Sequence, residues 1–65
     1  MEEIDVWRSA ALLLKQHGEV ADLHACRHMD AMIERGDPQG EAVWRRIIRA
    51  IKRLQENPGD GRLIH

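Results

Sequence analysis

The sequence predicts an all-α fold, a compact three-helix domain built from antiparallel helical hairpins. Three observations predict it. Apolar residues recur at three- and four-residue spacing through most of the chain, as they do in helices buried on one face. Glycine and proline interrupt that pattern at "KQHGE" (15–19), "ERGDPQG" (34–40) and "NPGDG" (57–61). No strand-like alternation of apolar and polar residues competes with it. The three-helix domain is expected over residues 1–57, followed by a flexible tail over 58–65.

The first helix is expected at about residues 3–17, ending at Gly18, a C-terminal cap tolerant of the left-handed conformation. Its inward stripe reads Ile4, Trp7, Ala11 and Leu14, with Ala10 beside it. Val6, Leu12 and Leu13 lie further round. That is more apolar surface than one narrow contact absorbs, so these three residues form a candidate dimer interface.

The second helix is expected at about 19–35, with Gly36 as its cap. Ala21, Ala25, Met29, Met32 and Ile33 form its stripe. The alanines at its start permit close helix approach. The third helix is expected at 38–56. Asp37 suits the capping position and Pro38 the first helical one, where a missing N–H costs nothing. Trp44, Ile47, Ile48, Ile51 and Leu54 form its stripe, flanked by Val43 and Ala50. Trp7 and Trp44 both fall on core stripes and are expected to anchor the contact between the first and third helices. His17 and Arg35 near helix C-termini, and Glu19, Asp22 and Glu41 near N-termini, complement the helix dipoles.

Opposite the third stripe lie Arg45, Arg46, Arg49, Lys52 and Arg53, with no acid among them. Amphipathicity explains where they lie but not why all five are basic, since a solvated helix face ordinarily mixes signs. The net charge of −1 conceals a split. Residues 1–37 carry eight acids and four bases, and residues 38–65 carry three acids and six bases. Such a chain can pair with itself, internally or between copies. The five-cation face is therefore read first as a partner of acids in this chain or a second copy. An acidic partner protein comes next, and nucleic acid after that, because the acidic remainder would repel a polyanion and no stacking aromatic lies on the face.

Cys26 is the only cysteine, so no disulfide forms within one chain. A lone thiol and an acidic start, "MEEIDVW", predict a cytoplasmic setting. No apolar run approaches the ~18 residues of a membrane span. His24 and His28 share a helical face, but Cys26 between them is rotated away. The "HACRH" cluster therefore cannot close on one structural ion, which needs four ligands. No metal or other cofactor is expected, and both histidines are expected to flank the core, half-buried and hydrogen-bonded. Ser9 is the sole hydroxyl-bearing side chain and there is no phosphate loop, so no catalytic residue is assigned and the chain is not expected to be an enzyme.

The motifs W-R-x-A-x-x-L from Trp7, H-G at His17, D-x-M-I-x-x-G-D from Asp30 and G-x-x-V-W-x-x-I-x-x-A-I-x-x-L-Q from Gly40 span residues 6–55. Together they resemble a group of short uncharacterised helical proteins of alphaproteobacteria and their phages. The resemblance implies a small cytosolic helical protein and brings no activity or cofactor. His28 and Met29 stand where that pattern would have Arg and Ala. The composite expectation is a non-enzymatic, self-associating protein-interaction module, a homodimer, that uses the basic third-helix face. Nucleic-acid binding through the same face is the alternative. The resemblance adds a third possibility, a small phage-type inhibitor of a host or defence protein.

Overall fold

A computed structural model describes residues 2–56. Within them α1 spans Glu3–His17, a 3₁₀ turn spans Gly18–Val20, α2 spans Ala21–Glu34 and α3 spans Pro38–Glu56. The described residues contain no strand, and the all-α reading holds. The expected tail over 58–65 lies outside the described residues.

The first two helices, expected as separate elements divided at Gly18, run together through a 3₁₀ turn. The Gly18 N–H donates to the Leu14 carbonyl, and the Ala21 N–H donates to the Gly18 carbonyl. The chain therefore passes from α1 into α2 without leaving helix-type bonding. Among the described residues between α1 and α3, only Arg35–Asp37 lie outside a helical segment. The structure is thus a broken α1–α2 arm against α3, rather than the expected three-helix domain of antiparallel hairpins. Gly18 carries the break: at φ +58° and ψ −128° its backbone adopts a conformation that a Cβ disfavours.

The second break is a Schellman turn. Gly36 has φ +68°, its N–H donates to Ile33 O and the Asp37 N–H donates to Met32 O, which satisfies carbonyls that the helix end would orphan. Asp37 then caps α3, its Oδ1 accepting from the Gly40 N–H at 2.9 Å. A Cβ on Gly40 would stand 2.6 Å from Met32 Sδ and 2.8 Å from Asp37 Oδ2, so glycine lets α2 and α3 close just beyond the turn. One helical turn further from that loop, the His28 and Trp44 rings stack. This pairing pattern makes α2 and α3 antiparallel neighbours.

Helix α3 is the centre of the fold, packing on both α1 and α2, which touch each other less. It buries Ile47, Ile48, Ala50, Ile51 and Leu54, whereas the arm buries only Val6, Ala10, Ala21 and Ala25. The arm thus meets α3 largely through alanines, which allow close backbone approach. Ile51 is the only large side chain among the described residues that is wholly enclosed.

The α1 register differs from the expected one. Val6 and Ala10 face α3, with Trp7, Ala11, Leu13 and Leu14 packed around them, and Ile4 is half exposed. The inward face is turned toward Ala10 because a small residue lets the helix axes approach, and the larger side chains then wrap the contact. Two further expectations change with it. Trp44 is placed against α2, where its ring stacks on that of His28. Ile33 is exposed, because Met32 takes the contact beside Gly40 in the last turn of α2.

Candidate functional site

Arg45, Arg46, Arg49, Lys52 and Arg53 are all exposed along α3. They do not behave as one set. Arg45 donates to Glu41 Oε2 at 2.6 Å in an i,i+4 pair on its own helix, and Arg53 also has an interaction partner. Arg46, Arg49 and Lys52 make no ion pair or hydrogen bond within the described residues. Internal pairing therefore accounts for only part of the basic face.

Three of the arginines turn toward α1. Arg46, Arg49 and Arg53 line a shallow cleft of about 200 Å³ with Ala50 on α3 and Glu3, Val6 and Trp7 on α1. The α1 register makes this cleft. With Val6 and Ala10 turned inward, the half-buried Trp7 indole lies beside the α3 arginines. The result is an apolar strip rimmed by guanidinium groups and one carboxylate, which suits a short anionic chain with an apolar element.

Of the candidate dimer residues, Val6 is a core residue at 4% exposure, covered by α3 within one chain, so it cannot face a second copy. Leu13 packs partly against the same core. Leu12 alone points outward, 54% exposed, and Ile4, Val20, Leu23 and Ile33 are about equally bare. Periodicity placed Ile4 and Ile33 inward and passed over Val20 and Leu23. The low burial of the 3₁₀ turn had no signal in the spacing.

The histidines form a feature that the sequence did not show. His17 stacks on His24 with centroids 4.0 Å apart and planes at 20°. His24 meets His28 edge-on at 4.8 Å, and their Nε2 atoms share a hydrogen bond of 3.2 Å. His28 then stacks on Trp44 at 4.4 Å and 9°. One column of four rings thus joins α1, α2 and α3. The His24 pKa is lowered, first by loss of solvation and then by the positive charges of His17, His28 and Arg27. His24 is half-buried as expected, whereas His28 is exposed. Cys26 is a half-buried free thiol against the core.

No protein-family model, curated protein or solved structure matches this chain. No helix of the described residues is long and apolar enough to cross a membrane.

Proposed function

We propose that the chain is a non-enzymatic protein-interaction module that takes an acidic segment of a partner protein in the cleft between α1 and α3. The observation that carries the reading is the convergence of Arg46 and Arg49, neither paired within the described residues, on the Trp7 indole. Two guanidinium groups offer charge-assisted hydrogen bonds to carboxylates, and the indole covers the apolar part of the segment. Glu3 on the same rim disfavours a continuous polyanion, and for that reason an acidic peptide is preferred to nucleic acid.

Self-association through a twofold dimer is the second part of the proposal. It is supported by the bare side chains of Leu12, Ile4, Val20 and Leu23 and by a core with one fully enclosed large residue among those described, since small domains often need a partner to reach useful stability. Packing of the three helical segments as one cytoplasmic unit belongs to the same reading.

The test is fluorescence anisotropy with a labelled Glu/Asp-rich peptide containing leucine, alongside labelled duplex DNA, at two salt concentrations. The peptide should bind, and Arg46→Gln with Arg49→Gln should abolish binding while leaving the melting temperature unchanged. Duplex binding that falls with salt at a log–log slope near roughly −3 or steeper, with no peptide binding, would establish the nucleic-acid reading instead. Sedimentation at micromolar protein should show a dimer that Leu12→Glu dissociates. A stable 7.5 kDa monomer would remove the self-association part.

A further inference from the structure

We propose that His24 and His28 form a chelating site for one first-row divalent transition ion, of the copper(II), nickel(II) or zinc(II) type, on the open side of α2. Residues four apart on an α-helix project from one face, and this pair has brought its Nε2 atoms to 3.2 Å. Two imidazole nitrogens bound to one ion at ~2.0–2.1 Å, at square-planar or tetrahedral angles, stand roughly 2.9–3.3 Å apart. The spacing already present is therefore the bite of a single ion; on binding, the ring that donates the shared hydrogen bond gives up its Nε2 proton and takes the tautomer protonated at Nδ1, and both Nε2 lone pairs turn to the ion.

The surroundings support the assignment. The pair opens on a solvent-accessible depression lined otherwise by Arg27 and Ala31, so the remaining coordination positions are open to water. Two neutral imidazoles with no carboxylate form a donor set suited to copper, nickel or zinc rather than to calcium or magnesium, which require oxygen ligands. Each ring is also held in place from behind. His24 lies against His17 of α1, and His28 lies against Trp44 of α3. Partners that fix a ligand's orientation raise metal affinity by limiting what must be ordered on binding. Because the site takes one ligand pair from α2 and its supports from the other two helices, a bound ion would brace all three elements. Among the described residues no group of three or more histidine, cysteine or acidic side chains is placed to hold an ion. The site is thus an open two-ligand chelate, and the Arg27 charge beside it keeps the affinity modest.

The experiment is calorimetric titration of the chain with zinc chloride in a non-chelating buffer, with imidazole ¹⁵N spectra recorded on the same samples. Saturable binding of one ion per chain is expected, with the Nε2 resonances of His24 and His28 shifting far more than those of His17, which only stacks on a ligand. Outer partners of metal ligands alone are worth roughly 10–100-fold in affinity, so His24→Gln or His28→Gln should weaken binding by at least about tenfold. Copper(II) should quench Trp44 fluorescence in a Trp7→Phe background, because Trp44 stacks on a ligand. If either glutamine variant failed to fold, the ¹⁵N shifts of the unsubstituted chain would still decide the question. Shifts confined to other residues, full affinity in both folded variants, or no binding at millimolar ion would each overturn the proposal.

Discussion

Replacing Ile51 with alanine tests the packing most directly. Ile51 is fully enclosed at 0% exposure, and its cluster includes Ala10, Ala21, Ala25 and Ala50. The substitution removes three carbon groups, worth about 2.4 kcal/mol of transfer free energy at ~0.8 kcal/mol each. A cavity term adds to this wherever neighbours cannot relax, which puts Ile→Ala changes in the range ~2–5 kcal/mol. Alanines have no rotamers with which to refill a void, so the upper part of that range applies. A domain this small holds only about 3–5 kcal/mol in all. The Ile51→Ala chain should therefore be largely unfolded in water, seen as lost far-UV circular dichroism and no cooperative urea transition. Ile51→Val should keep the transition and lose ~0.5–1.5 kcal/mol. Gln16→Ala, at an exposed position, should stay within about 0.5 kcal/mol of the parent. An Ile51→Ala urea midpoint equal to the parent's would refute the reasoning and place the weight of the core elsewhere.

Three further outcomes follow from local geometry. Gly18→Ala should cost about 1–3 kcal/mol in a urea melt through its backbone conformation alone, since nothing lies within 4 Å of the added Cβ; an unchanged midpoint would show that the turn rearranges freely. Asp37→Ala removes the bond to the Gly40 N–H and should cost ~0.5–2 kcal/mol, with Asp37→Asn recovering most of it. The His24 pKa is lowered in the folded chain, so the unfolded chain binds the proton more readily. The contribution is fully present above the ordinary histidine value of 6.5 and is lost as pH falls below it toward the folded value. In the presence of chelator the melting temperature should therefore fall between pH 7.5 and pH 5, and His24→Gln should flatten that slope; a melting temperature that rose on acidification would contradict the sign.

Much of the fold was legible because its signals are local. Gly36, Asp37 and Pro38 each act within one turn of the backbone and mark where α3 begins, and apolar periodicity gave its stripe. The α1 face was not legible in the same way. Ile4 and Trp7 outweigh Val6 and Ala10 in hydrophobicity, yet the preference for close approach at a small residue depends on what the opposing helix presents. The basic arc was visible as a composition, but its division was not. Arg45 is engaged by Glu41 four residues away, and whether Arg46 and Arg49 meet Trp7 depends on how α1 is rotated.

By itself, the sequence determined the helical class, the positions of the breaks and the segregation of apolar and basic residues on α3, because periodicity, glycine conformation and capping are properties of neighbouring residues. Only the tertiary structure decided that α3 is the helix on which both others pack, that Val6 is core and Leu12 surface, and that His17, His24, His28 and Trp44 form one column. Those outcomes depend on helices approaching through alanine faces, and the distances between residues of different helices are set by that packing rather than by spacing along the chain.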